Sequence, residues 1–455
     1  MSKHLEDFAR LMWQEGISEN VIKTFAAYYD ILASGASSKI TKNAIHPPSV
    51  HNLVDYDSLN DNPDKDILNK TVVIKLNGGL GTGMGLSKAK SLLPVKGNMN
   101  FLDIIARQIL TLRAQQGNDI HLIFMDSFST QMDTLKYLDK YPDLAKGDIP
   151  LDFIQNKFPR ITQKDLSPFE PKDETQKWNP PGHGDIFTAL YSNGLLDSLI
   201  ARGVKFAFIS NSDNLGATLN PAIPEYMEKH EIPFLMEVCI RSEVDKKGGH
   251  LSESNDGRLL LREVAQCPDD EVAEFQNIEM YKYFNTNNIW IDLIRLKAEM
   301  ELHDGVLLLP LIINPKTVEG TAVYQMETAM GAAIGIFEGS KALVVPRTRF
   351  APVKKTTDLL AIWSDAYELN DQYQIVLNRK RKEPPVISLD ERFYNKIDQL
   401  LERFNGVPSL QNCDSLNVAG DISFGNDVIC RGNVCIMSDS KVTLKDRICE
   451  GIINL

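Results

Sequence analysis

The sequence predicts an α/β protein with a central mixed, mostly parallel sheet flanked by helices, a helical N-terminal segment and a C-terminal left-handed β-helix. Three observations carry this. Apolar strand-like runs alternate with helix-like runs from about residue 70 onward, the rhythm of βαβ units. Two polar turns, "LNGG" and "SNSDN", follow such runs directly, where open α/β sheets of the Rossmann-like kind hold ligands. In the tail, Leu416, Ile422, Val428 and Val434 recur every six residues, with Gly420, Gly425 and Gly432 between them. That is the hexapeptide period of a β-helix, with about four turns' worth of repeats visible; ordinary short strands are the alternative.

Each element follows in order. Residues 5–34 place Phe8, Leu11, Met12, Val21, Phe25, Tyr28 and Leu32 at helical spacing. Residues 35–68, with "SGASSKITKN" and "NDNPDKD", read as loop and linker. "TVVIKL" (Thr71–Leu76) is a buried strand, "FLDIIARQILTLRAQQG" a helix and "IHLIFMDS" a strand. "GDIFTALYSNGLLDSLIARG" reads as one helix closed by glycine, and "VKFAFISNSDNLGA" and "IPFLMEVCIR" as strands. The charged, proline-bearing stretch Arg379–Phe393 marks a boundary. The expected organisation is 1–68, helical segment and linker; 69–378, nucleotide-binding domain; and 379–455, β-helix.

Composition excludes several classes. The net charge of −12 argues against a nucleic-acid partner, which needs a basic face. The start, "MSKHLEDFARLMWQEG", lacks the apolar stretch of a signal peptide. No run of eighteen apolar residues exists to cross a membrane. Six cysteines without CxxC spacing make neither a disulfide framework nor a zinc site, and point to reduced thiols in a cytoplasmic protein.

The densest chemical signal is "KLNGGLGTGMGLSKAKS". A glycine turn after a buried strand exposes backbone N–H groups that can cradle phosphate. It is not a P-loop, because no glycine precedes a Lys-Ser or Lys-Thr pair there. Nor is it GxGxxG: counting from Gly79 or Gly81, the last position falls on Met84 or Leu86. Of the lysines that follow, Lys88 and Lys96 read as solvated surface charges. Lys90, five residues past Gly85, is close enough to reach a phosphate held on the loop.

Together with "QNKFPRI", "NPPGHGDIFTAL", "SNSDNLGA", "FNTNNIWIDL" and "RFAPVKKTTDLL", this loop resembles the eukaryotic-type UDP-glucose pyrophosphorylases, UTP–glucose-1-phosphate uridylyltransferases, from about residue 70 to the end. The loop departs slightly from relatives that carry "GTSMG" and "GPKS", without touching Lys90. The resemblance implies a Mg²⁺-assisted, reversible reaction. UTP and glucose 1-phosphate give UDP-glucose and pyrophosphate by in-line attack on the α-phosphorus, with no covalent enzyme intermediate.

The resemblance also implies roles. Leu76, Asn77, Gly78 and Gly79 would lie along the nucleotide, with Gly78 and Gly79 also near the sugar phosphate. Lys90 and Lys354 would be the catalytic cations, and Gln155 would read uracil. Gly182 and His183 would line the meeting point of nucleotide and sugar phosphate. Asn211, Ser212 and Asp213 would follow, Asp213 as the Mg²⁺ carboxylate. Gly249, Glu263, Asn285, Asn287 and Asn288 would face the sugar. Taken alone, Gln155 also reads as a surface amide and Asp213 as an Asx-turn residue.

Three rivals stand beside this reading. UDP-N-acetylhexosamine pyrophosphorylases have a loop more like "LAGGQGTRLG"; here Asn77 replaces the alanine and the loop has no arginine. A broad UDP-sugar pyrophosphorylase would differ only in tolerance of one hydroxyl. A non-catalytic binding homologue would have been signalled by loss of Lys90, Asp213 or Lys354, and all three are present. Some relatives assemble through the C-terminal region, which leaves homo-oligomerisation open.

Overall fold

The structure, a computed structural model, describes residues 4–36 and 38–455. Met1–Lys3, at the start of the expected helical segment, and Ser37 in the expected linker lie outside the described residues.

Eight strands form the main path of an eleven-stranded central sheet: β1 (Leu53–Asp55), β2 (Thr71–Leu76), β3 (His121–Asp126), β4 (Asp152–Ile154), β5 (Phe206–Asn211), β6 (Phe234–Ile240), β7 (Tyr283–Asp292) and β8 (Lys341–Val344). Their spatial order is β1-β8-β6-β7-β5-β2-β3-β4. Every neighbouring pair is parallel except the two that β7 makes with β5 and β6. The strands are continuous apolar runs because both faces are covered, as parallel sheets require. Val73, Phe208 and Phe124 face one core; Val72, Ile74 and Ile209 face a second.

The registers align the carboxyl ends that matter. Leu76 lies opposite Asn211 on one side and Met125 on the other, so the turns after β2, β3 and β5 leave the same edge. β7 carries an irregularity there. Glu237 pairs with Asn288 but Val238 pairs with Asn285, so Thr286 and Asn287 are looped out. Such a bulge re-aims side chains.

Helices α1 (Leu5–Gln14) and α2 (Glu19–Ala33) replace the single helical run expected over 5–34, with Gly16 at φ +71° between them. Their apolar faces cover Phe158, Ile161, Trp178 and Leu311. Helix α3 (Phe101–Gln116) starts on an Asn100–Asp103 capping box and stops at Gly117 in the left-handed region. The expected helix after "GDIF" is likewise two, α4 (Ile186–Ser192) and α5 (Leu195–Ala201), split at Gly194, φ +77°. The stretch 35–68 is more than linker, since β1 closes one edge of the sheet.

The tail is a stack of parallel strands: β9 (Val386–Leu389), β10 (Ser409–Ala419), β11 (Val428–Met437) and β12 (Arg447–Asn454) in one sheet. Ile422–Phe424 pairs parallel with Val442–Leu444 in another. Leu416, Ile422, Val428 and Val434, the residues that set the six-residue period, are all buried, and Leu416 stands directly beside Val434.

Candidate active site

The glycine loop is fixed from beneath. The Asn77 amide N–H donates to the Met125 carbonyl (2.8 Å), and its side-chain nitrogen donates to Asp126 (2.8 Å) and Thr134 (2.9 Å). The Asn77 side chain therefore points into the fold, and only its backbone is left for a ligand. Burial lifts the Asp126 carboxyl to about 6, against the pull of its three donors Asn77, Thr134 and Thr130.

The glycines serve different ends. A Cβ on Gly78 would stand 3.0 Å from the Gln155 amide nitrogen, so its absence lets that side chain lie against the loop. A Cβ on Gly79 would meet nothing within 4 Å. Gly81 has φ +68° and leaves room for the stem of Lys90, whose Cγ would be 3.2 Å away from an added Cβ. The Lys90 N–H donates to the Gly79 carbonyl (3.1 Å), folding the lysine back over the loop.

Lys90 Nζ then meets Asp213 Oδ2 at 2.5 Å, across two neighbouring strand ends. Asp213 follows β5, and the backbone places it: the Ser212 N–H donates to the Leu76 carbonyl (3.0 Å). Ser212 is itself buried. Asp213 Oδ1 is buried and has no partner. A carboxylate with one oxygen on an ammonium and the other orphaned is suited to a cation arriving with phosphates. Among the described residues no group of three or more His, Cys, Asp or Glu could cage a metal.

The Lys354 segment docks on the same loop. The Val353 N–H donates to the Asp213 carbonyl (3.1 Å), and the Ala351 N–H to Asn214 Oδ1 (3.0 Å). Lys354 itself is exposed, its Nζ 5.5 Å from the Phe350 ring centre. Across from it lies Glu263, whose carboxyl burial raises and the Lys354 charge partly lowers. Gly249 touches Glu263: an added Cβ would come within 2.6 Å of that carboxylate.

The "FNTNN" asparagines divide. Asn287, at φ +62° in the bulge, donates to Asn211 Oδ1 (2.9 Å) and keeps a buried, unpartnered Oδ1. Asn285 Oδ1 accepts from the Asn287 N–H (2.9 Å), and its own N–H donates to the Gly249 carbonyl (3.1 Å). Asn288 corrects the expectation. It is 0% exposed, donates to Glu237 (3.0 Å) and the Arg349 carbonyl (3.2 Å), and accepts from Asn214 (3.2 Å). It supports the site from inside and faces no sugar.

His183 sits on a turn opened by Gly182, φ +81°, where a Cβ would collide with the Thr328 backbone. His183 Nδ1 accepts the Met330 N–H (3.1 Å), and burial pulls the ring down to about 4. The imidazole is thus neutral at pH 7, with its proton on Nε2 as a donor. Asp185, raised to about 6 by burial, accepts from the Asn156 backbone (2.6 Å) and side chain (2.8 Å), tying this turn to Gln155.

Lys88 is exposed as expected. Lys96 is not a solvated charge: its Nζ donates to the carbonyls of Ile362, Ser364 and Tyr367, beyond and at the end of the helix Thr356–Trp363. Two residues escaped the sequence reading. Lys396, in the C-terminal segment, donates to the Gly83 carbonyl (3.3 Å) and packs its stem on Gly85. Glu237 accepts from Arg349, Trp290 and Asn288. Nothing local marks either one; only the fold brings them there.

Comparison with known proteins places the chain in one family. The family model described as UTP–glucose-1-phosphate uridylyltransferase matches residues 22–431. The Hordeum vulgare UTP–glucose-1-phosphate uridylyltransferase is 41% identical over 439 residues, 94% of this chain and 91% of that protein. A Leishmania major UDP-glucose pyrophosphorylase variant, solved in complex with UDP-glucose, superposes with a TM-score of 0.93 at 41% identity, covering 100% of both chains. A Trypanosoma brucei structure described as UDP-glucose phosphorylase gives 0.90 at 43% identity, again over 100% of both.

Proposed function

The chain belongs to the UTP–glucose-1-phosphate uridylyltransferase family, and we infer from its site how it joins UTP and glucose 1-phosphate into UDP-glucose and pyrophosphate. The observation that carries the inference is the Lys90–Asp213 pair at adjoining strand ends, with the Lys354 segment bonded to the same loop.

UTP lies along Leu76–Gly79, its base against Gln155. The turn Gly182–His183 stands where nucleotide and sugar phosphate meet, and the neutral His183 offers its Nε2–H to a phosphate oxygen. Gly249, Glu263, Asn285 and Asn287 take the sugar, with Asn211 holding Asn287 in place. Lys90 and Lys354 neutralise the charge that develops as the sugar phosphate oxygen attacks and pyrophosphate departs. Asp213 would hold Mg²⁺, which would supply further neutralisation of the triphosphate; its orphaned Oδ1 supports this role. The site has no activated nucleophile to form a covalent intermediate, so positioning does the chemistry. A radiolabelled pyrophosphate–UTP exchange assay tests this directly. Direct displacement gives exchange only when glucose 1-phosphate is present; exchange without it would require a uridylyl-enzyme.

The stacked parallel strands of the tail support a left-handed β-helix domain over 379–455, following the catalytic 69–378 and the N-terminal 1–68. That domain is our candidate for assembly between copies. The six cysteines are all free thiols, which supports a reducing, cytoplasmic setting. No helix among the described residues is long and apolar enough to cross a membrane.

A further inference from the structure

Lys75 is a lysine in the middle of a buried run, one residue before the end of β2. It points to the α3 face of the sheet, away from the glycine loop, and is 3% exposed. Its Nζ donates to Ser210 Oγ (2.7 Å) and the Ala217 carbonyl (3.0 Å) and lies 5.4 Å from the Phe208 ring centre. Neither bonded partner is charged, and among the described residues no carboxylate lies within ion-pair distance of it. The nearest cation, Arg349, is already neutralised by Glu237 in a two-bond pair. A buried ammonium without a direct counter-ion is costly; burial and then the like charge of Arg349 pull this one down to about 7, against the weaker opposing pull of the more distant Glu237 carboxylate.

The ammonium is on the floor of a cavity of about 400 Å³, between α3 and the residues 217–221. Arg349 and Tyr56 also line it, and Gln115 and Gln116 of α3 stand at its wall. The two glutamine side chains make that wall polar. A cationic floor, amide walls and this volume are what a small polar ligand needs. The cavity wall is also the far end of the loop that carries Asp213. Lys75 holds the Ala217 carbonyl, and Arg349 Nη2 holds the next one, Thr218 (3.0 Å).

We propose that this cavity binds a small oxyanion, a phosphate or a carboxylate, that pairs with Lys75, and that its occupancy is transmitted to Asp213 through residues 211–218. The anion supplies the direct counter-charge that Lys75 lacks. Binding stands independently of the catalytic assignments; only the transmission rests on Asp213 as the Mg²⁺ ligand.

The test uses the full-length protein saturated with UDP-glucose, so that the nucleotide and sugar sites are filled, and Gln115→Trp separates this cavity from phosphate bound in the pyrophosphate site. Failure to bind UDP-glucose would count against the assigned function and leave the cavity to be tested on the free protein by soaking crystals in phosphate. Thermal denaturation is followed against inorganic phosphate and, separately, acetate, at constant ionic strength held with chloride. One of the two should raise Tm saturably at millimolar concentration, and the better one identifies the oxyanion. The apparent affinity should fall at least tenfold in Lys75→Met and in Gln115→Trp, which closes the exposed rim without touching the loop. Saturation by neither oxyanion, or equal affinity in Gln115→Trp, overturns the binding. For the transmission, the Mg²⁺ concentration giving half-maximal velocity should shift with the anion in the native protein and not in Gln115→Trp. An identical response in both overturns it.

Discussion

At the scale of single residues, the account turns on charges placed where phosphate charge develops. Lys90→Ala and Lys354→Ala should each fold and lose on the order of 10²–10³ in kcat, roughly 3–4 kcal/mol of transition-state stabilisation. A near-native kcat in steady-state assays of either variant would remove that lysine from the mechanism. Asp213→Asn keeps the shape but weakens the cation site, so velocity should saturate only at higher Mg²⁺; an unchanged Mg²⁺ titration would contradict it. His183 makes a pH prediction. Unfolded it titrates near 6.5, folded near 4, so between those values the unfolded chain binds more protons and stability falls as pH drops. His183→Gln, which can still accept the Met330 N–H, should show less loss between pH 7 and pH 5 in urea denaturation. Equal losses in both proteins would mean the ring is not held neutral. Residue identity was readable in the sequence, but side-chain direction was only partly so. Asn77 and Asn288 sit in polar motifs yet turn inward, because a strand end and a two-residue bulge reset which face each residue takes.

At the scale of elements, the strands were legible because their two buried faces leave continuous apolar runs. "TVVIKL" matches β2 end to end. Helices were legible in type but not in continuity, since Gly16 and Gly194 each adopt a left-handed turn inside a pattern whose apolar spacing carries on. β1 was hidden because three residues at a sheet edge give no periodicity. The glycines of the site separate fold from function at this scale. Gly182→Ala forces a Cβ into the Thr328 backbone at a positive φ, and should cost about 1–3 kcal/mol of stability. Gly79→Ala meets no protein atom and should leave the denaturation midpoint unchanged while raising the KM for UTP. If Gly79→Ala bound UTP normally, the nucleotide would not run along that glycine.

At the scale of the whole molecule, the compositional boundary near residue 379 is not a break in packing. One apolar core runs from Phe101 and Val353 through Tyr394 and Leu400 to Leu416 and Val434. Lys396 reaches from the far side of that boundary to the glycine loop. The tail is thus poised to sense the loop, and substitutions there should alter catalysis as well as stability. The six-residue period was visible because Leu416, Ile422, Val428 and Val434 are all buried within the stack of parallel strands. The contacts between tail and loop were not, since they join residues some three hundred positions apart and leave no pattern in either segment.

Pyrophosphate release from UTP and Mg²⁺, with glucose 1-phosphate, galactose 1-phosphate and N-acetylglucosamine 1-phosphate run in parallel, measures the activity and its specificity together. Release should be rapid with glucose 1-phosphate and weak with the other two. Comparable release with galactose 1-phosphate would contradict the assigned specificity, and no release with any sugar phosphate from folded protein would contradict the mechanism itself.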